Sequence, residues 1–183
     1  MSPTASGAPT LHTTHPSPLG ELLLLGTDDG ALCAVRLPGQ RDRRTAAAAT
    51  RPAPAAFTEA TRQLDAYFAG ERTAFDLPLA VDGSDFRTRV WRALDAVPYG
   101  STVSYRELAV RAGAPPRAVR AVGAAVAANP LLIVRPCHRV IGADGSLTGY
   151  AGGVDRKRWL LTLEGVLGGV ENTSYEPTGW ADR

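Results

Sequence analysis

Proline and glycine punctuate positions 84 to 130 so closely that only short helices fit between them. Pro98-Tyr99-Gly100, Gly113 with Pro115-Pro116, and Asn129-Pro130 each interrupt the stretch. A proline lacks the amide a helix interior needs and pushes the residue before it out of helical geometry. Three helices are therefore expected. Phe86, Val90, Leu94 and Val97 mark one face of the first, which ends at Pro98. Ser104-Tyr105-Arg106-Glu107 has the form of a capping box and predicts a second helix over 105–112, closed by Gly113. Ala114-Pro115-Pro116 then makes a corner, with Pro116 suited to the first turn of a third helix running to about 128. Helix, short turn, helix is the outline of a DNA-binding helix-turn-helix, and also of many small helical domains.

The third helix carries unusual side chains. Val119, Val122 and Val126 can face a core, which leaves Arg117, Arg120, Ala121, Ala124 and Ala128 outward. Gly123 costs roughly 1 kcal/mol of helix propensity relative to alanine, and close approach of a partner is a reason to keep it. An Arg/Ala/Gly surface lacks the Asn, Gln and Lys that read bases in the major groove, so it suits nucleic acid without sequence choice. Charge agrees. From Phe86 to Arg139 nine arginines stand against Asp95 and Glu107, a local excess of +7 in a chain of net charge +2, so the remainder carries −5. Such a segment fits a phosphate-bearing polyanion.

Directly after this segment, the apolar run Leu131-Leu132-Ile133-Val134 reads as a short strand or core segment that delivers Pro136-Cys137-His138-Arg139-Val140 to the edge of the interior. Thiolate is the nucleophilic form of cysteine, and His138, Arg135 and Arg139 are placed to lower the thiol pKa from its ordinary value near ~8.5. A free cysteine is equally a small buried hydrophobe, so the pair by itself leaves a structural reading open. Further on, 143–146 reads as a turn and 147–153 as a Gly-rich loop holding Tyr150. Asp155 is expected to cap a helix over 156–164 that Gly165 ends, anchored by Trp159, Leu160 and Leu163. Glu164 would then sit in the last turn, where the helix dipole disfavours a carboxylate; a histidine ring is one candidate partner, solvent the alternative.

Toward the N-terminus, residues 1–18 contain no Asp, Glu, Lys or Arg and are expected to form a mobile tail. Glu21 to Leu25, the turn Asp28-Asp29-Gly30, and Ala31 to Leu37 predict a β-hairpin. The Arg/Ala/Pro-rich stretch 38–56 reads as a surface loop. Phe57, Ala60, Leu64, Tyr67 and Phe68 recur at helical spacing before Gly70, and 75–79 reads as an edge strand containing Pro78. At 183 residues the chain can bury an ample core without staples. Cys33 and Cys137 belong to no CxxC pair or Cys/His cluster, which predicts no zinc site and suits a reducing compartment. No apolar stretch approaches the ~20 residues of a membrane span and the first twenty residues do not read as a secretory signal, so a cytoplasmic location and no membrane partner are expected.

These features together resemble the O6-alkylguanine-DNA alkyltransferases, also called methylated-DNA-protein-cysteine methyltransferases. The similarity spans about 86–166 and rests on Pro136-Cys137-His138-Arg139-Val140, Val97-Pro98-Tyr99-Gly100 with Ser104-Tyr105, Arg120-Ala121-Val122-Gly123, Asn129-Pro130, Gly149-Tyr150-Ala151-Gly152-Gly153 and Glu164-Gly165. The resemblance implies an α/β (α+β) protein: a small N-terminal α/β domain with an antiparallel sheet over 19–83, then a mainly helical winged-helix/helix-turn-helix-like domain over 84–171, with tails at 1–18 and 172–183. It implies double-stranded DNA containing alkylated guanine as partner and no cofactor; a monomer is the default expectation. Cys137 would accept the alkyl group irreversibly, His138 act as its base through a water, Glu164 orient His138, and Asn129 hold the turn beside the site. Arg120 would replace the extruded nucleotide and Tyr105 would turn the 3′ phosphate and touch the base. Val140, Tyr150 and Ala151 would line the guanine pocket, while Arg117, Ala121 and Gly123 would lie on the DNA-facing helix in the minor groove. Ala151 stands where that family often has serine. Residues alone also admit a cysteine hydrolase using Cys137 and His138, or a DNA-binding module without chemistry.

Overall fold

Leu22-Leu23-Leu24-Leu25 is apolar at every position, so a strand built from it must be covered on both faces. The computed structural model describes residues 8–40 and 43–168. In it, β2 (Leu22–Gly26) is buried throughout and lies inside a four-stranded sheet of order β3-β2-β1-β4. β1 (Leu11–His15) and β3 (Leu32–Arg36) flank it antiparallel, and β4 (Arg51–Pro52) joins β1 in parallel at the edge. The Asp-Gly turn closes the hairpin, with Gly30 at φ +82° and its amide on Thr27 O at 3.0 Å. One sheet face packs Leu23, Leu25 and Ala34 against Ala46 and Ala47 of α1 (Arg43–Ala48). The opposite face meets Phe57: a Cβ at Gly26 would lie 2.9 Å from its ring, so only glycine fits there. Phe57 ends a 3-10 turn (Pro54–Phe57) that leads into α2 (Thr58–Phe68), whose inner face is Ala60, Gln63, Leu64 and Tyr67.

Several local expectations change. The stretch 1–18 is not a tail in its second half, because β1 pairs with β2 through five residues and buries Leu11 and Thr13. Its hold is backbone pairing, which a polar composition does not advertise. Residues 1–7 lie outside the described residues, as does the segment beyond 168. The stretch 38–56 is no plain loop, since its alanines form α1 over the sheet. The 75–79 strand does not form; Leu79 makes a single parallel bridge to Leu32, flanked by Leu32 N to Pro78 O at 2.8 Å and Ala80 N to Leu32 O at 3.0 Å.

A second compact unit begins at Gly83. α3 (Asp85–Asp95) starts on the Ser84 side chain, which accepts from Arg87 N, and Trp91 Nε1 ties it to Ala125 O at 2.9 Å. β5 (Val103–Ser104) leads into α4 (Tyr105–Arg111), whose capping box forms with Ser104 and Glu107 as the residue types require. α5 (Val119–Ala127) begins three residues later than expected: 115–118 closes a separate turn, Ala118 N to Pro115 O at 2.8 Å, so Arg117 precedes the helix. The run 131–134 is a buried turn rather than a strand, with Ile133 at φ +73°. A one-turn 3-10 helix (Cys137–Arg139) and β6 (Val140–Ile141) follow, β6 pairing in parallel with β5. α6 (Val154–Leu163) is entered through Gly153 at φ +92°; Asp155 lies in its first turn and is not the cap.

Candidate active site

The turn that presents Cys137 is stitched by one side chain. Asn129 Oδ1 accepts from Leu131 N at 3.0 Å, and its Nδ2 donates to Leu131 O at 3.3 Å, Arg135 O at 3.1 Å and Cys137 Sγ at 3.2 Å. A carboxamide has the donor and acceptor needed for both ends of such a turn. It also holds Ile133 in a left-handed conformation that a β-branched residue rarely adopts. Cys137 is 3% exposed and His138 is fully buried beside it.

His138 Nε2 lies 2.8 Å from Glu164 Oε1. Arg139 takes the same carboxylate with two donors, Nε to Oε2 at 2.8 Å and Nη2 to Oε1 at 2.9 Å, and its Nη1 reaches Val97 O at 2.6 Å. Gly100 N donates to Glu164 Oε2 at 3.4 Å. Glu164 is thus a buried anion with a cationic clamp, and the solvated alternative does not hold. Arg135 is held by Asp95, Nε to Oδ1 at 2.8 Å and Nη2 to Oδ2 at 3.2 Å, and stacks over Trp91.

These pairings correct the expected thiol chemistry. Burial pushes the Cys137 thiol up to about 11, against the Asn129 hydrogen bond and the positive charges of Lys157 and Arg135. Arg135 and Arg139 face carboxylates from distant parts of the chain, so neither is a counter-charge reserved for sulfur. Burial also lowers the His138 pKa, opposed by the hydrogen bond and charge of Glu164. At neutral pH the site therefore holds a neutral thiol and a neutral imidazole whose Nε2 is committed to a carboxylate. A neutral thiol becomes nucleophilic here only when a base takes its proton during reaction.

Other anticipated residues fall into two groups. Val140 is buried beside the site. Tyr150 stands edge-on to His138 with ring centroids 6.5 Å apart, and burial holds its hydroxyl well above the usual phenol range. Tyr105, at the start of α4, is half-buried; burial raises its hydroxyl pKa while a hydrogen bond with the Thr148 side chain opposes this. Ala151 is exposed on the loop. Arg117, Arg120 and Ala121 are exposed and Gly123 is half-buried on the same stretch. Arg87, Arg89, Arg92, Arg106 and Arg111 are exposed too, so the basic excess of this unit lies at its surface, with Arg135 and Arg139 buried.

Sequence reasoning missed Lys157. It is fully buried and donates to Val140 O at 2.5 Å and Thr148 O at 2.7 Å. A signal existed: 157, 160, 161 and 164 follow the i, i+3, i+4, i+7 spacing of a core-facing stripe. Among the described residues no group of His, Cys, Asp and Glu can hold a metal ion, and no helix is long and apolar enough to cross a membrane.

A family model described as 6-O-methylguanine DNA methyltransferase, DNA binding domain, matches residues 85–166, and one described as the ribonuclease-like domain of the same family matches residues 10–81. A methylated-DNA--protein-cysteine methyltransferase of Mycolicibacterium paratuberculosis is 52% identical over 153 residues, covering 84% of this chain and 91% of the relative. One of Methanosarcina barkeri is 50% identical over 148 residues, covering 81% and 92%. Among solved structures, the Mycobacterium tuberculosis OGT in complex with DNA superposes with a TM-score of 0.78 at 50% identity, covering 85% of this chain and 92% of that one.

Proposed function

This chain belongs to the 6-O-methylguanine DNA methyltransferase family, and from that premise we propose that it repairs alkylated DNA by moving the alkyl group from O6 of guanine onto Cys137. In the proposed step a carbon–sulfur bond forms as the carbon–O6 bond breaks. The thiol proton leaves to His138 through a water, and the released guanine gains a proton, so the net exchange is one alkyl group for one proton. A thioether has no leaving group that water can displace, so each molecule reacts once. The observation that carries the reading is the buried Asn129, Cys137, His138 and Glu164 cluster, with Asn129 Nδ2 3.2 Å from the sulfur and His138 Nε2 2.8 Å from the carboxylate. Glu164 keeps the ring oriented and stabilises it once protonated; Arg139 keeps Glu164 ionised and in place.

A base within a duplex is beyond the reach of a thiol that is 3% exposed, so the nucleotide must leave the stack, at a cost of a few kcal/mol that a damaged pair lessens. Arg120, exposed on α5, fills the gap, and Ala121 and Gly123 allow close approach in the minor groove while Arg117 meets phosphate. Tyr105 turns the 3′ phosphate, and Val140, Tyr150 and Ala151 receive the guanine. O4-alkylthymine fits the same chemistry as a second substrate. In this reading the domain beginning near residue 84 does the work, as a cytoplasmic monomer without a cofactor.

Intact-mass and peptide analysis after incubation with methylated-guanine duplex tests it. One methyl is expected on the peptide holding Cys137 and none on Cys33, which is buried with its thiol pKa raised by burial. Cys137→Ser should bind DNA and accept nothing. Transfer beyond one equivalent, or equal labelling of both cysteines, rejects the reading.

A further inference from the structure

The proposed reaction gives no role to Lys157, the only lysine in the chain. Its ammonium is fully buried, and Nζ donates to Val140 O at 2.5 Å, Thr148 O at 2.7 Å and Gly149 O at 3.2 Å. An ammonium has three N–H donors, and three carbonyls take them. Among the described residues no ion pair includes it, in contrast with Arg135 and Arg139. A buried charge without a carboxylate is expensive, and an apolar side chain of similar length would occupy the same space more cheaply. Its three contacts are informative. Two lie on the loop that continues into Tyr150 and Ala151, and the third lies on the residue three positions after Cys137.

We propose that Lys157 is a positioning residue whose protonated ammonium latches the 147–153 loop to the segment carrying Cys137, and that losing this proton loosens the loop and slows alkyl transfer. The effect on transfer rests on assigning that loop to the guanine pocket; the latch itself does not. A neutral amine keeps only two N–H donors and turns a lone pair toward the third carbonyl, so one contact becomes repulsive. Burial lowers the Lys157 pKa from 10.5 to about 8, and a Cys137 thiolate would oppose this only once the thiol, itself pushed up to about 11, has ionised. The other titratable group coupled to it is the His138 ring, whose own pKa Lys157 helps to lower, while its neighbour on α6, Arg156, has its guanidinium on Gly152 O at 2.9 Å. The latch also makes a distinctive sign. Ionisation of a thiol makes reaction faster as pH rises, whereas unlatching makes it slower.

A single lysine permits a direct test on the wild-type protein without DNA. With lysine labelled at Cε, one resonance is followed from about pH 6 to 11, beside hydrogen exchange of the 147–153 amides corrected for intrinsic base catalysis. A midpoint near pH 8, with loop protection lost at the same midpoint, is the expected result. A midpoint at the ordinary lysine value of about 10.4, or loop protection unchanged across the transition, overturns the latch. Lys157→Met should leave the loop unprotected at every pH, slow single-turnover transfer at neutral pH by at least about tenfold, and remove the alkaline decline. Loop protection retained in that variant also overturns it. Methyl transfer to Cys137 is scored in the same wild-type samples, so absence of transfer would reject the functional reading while the lysine titration still decides the latch.

Discussion

The two compact units bury different things. Up to Asp82 the core is built on leucine, and among the described residues the buried polar side chains are the neutral Thr13, Thr27 and Gln63. From Gly83 to residue 168 the buried polar set is Asn129, Arg135, His138, Arg139, Arg156, Lys157 and Glu164. Removing a charge from water costs several kcal/mol unless a partner compensates, so a fold that needed only stability would be built like the first unit. The second unit accepts that cost around one thiol. Concentrated buried charge is thus a physical marker of the site, independent of any motif.

The contrast is most exposed to failure at Glu164. Glu164→Gln should cost about 3–5 kcal/mol of stability in denaturant melts, since it leaves the Arg139 guanidinium buried without its carboxylate. A loss below about 1 kcal/mol would mean the clamp is as weak as a surface pair and would erase the distinction between the units. The pH dependence sharpens the test. His138 has a folded pKa below its ordinary 6.5, so as pH falls through about 6.5 the unfolded chain takes up a proton first and stability declines toward the folded value. Glu164 raises that folded pKa, so Glu164→Gln should extend the acid-labile window to lower pH.

Leu24→Ala probes the other side of the comparison. Leu24 is fully buried in β2, and truncation should cost about 2–5 kcal/mol through lost burial and a cavity. Transfer per folded molecule should stay unchanged, measured as single-turnover rate at a temperature where the variant is fully folded. A slower rate in the folded variant would tie the leucine core to the chemistry and dissolve the division of labour.

What could be read from the chain follows the range of the forces involved. The Ser104/Glu107 capping box and the hairpin turn at Gly30 depend on residues within a few positions, and each was legible. β1 was not, because its strand character lies in backbone pairing with β2 while its side chains read Leu-His-Thr-Thr-His. At the site, Cys137, His138, Glu164 and Asn129 do lie together, yet burial of the thiol outweighs the positive charges expected to lower its pKa, and the net shift is upward. Arg135 and Arg139 sit next to the thiol in sequence, but Asp95 and Glu164 claim them from 40 and 25 residues away. Such long-range pairing has no local signature. Lys157 had one, the core-stripe spacing on α6, masked by the presumption that lysine belongs outside.

Gly123 sets the smallest effect and the finest test, because it asks whether an oddity in the second unit serves the fold or its partner. A helical glycine costs about 1 kcal/mol against alanine, so packing inside the protein should require it if the fold explains it. It does not: a Cβ there would meet only Tyr105 Cε1, at 3.9 Å, an ordinary contact. Gly123→Ala should therefore stabilise the protein by about 0.5–1 kcal/mol, read as a rise in Tm of a few degrees. If the outer face of α5 lies against DNA, the same methyl group should slow transfer from alkylated duplex while leaving transfer from a free alkylguanine base unchanged. Tyr105 supplies the internal control. Were the new methyl to act by shifting that ring, which lines the proposed guanine pocket, both substrates would slow together, and the glycine would belong to the site rather than to the DNA surface.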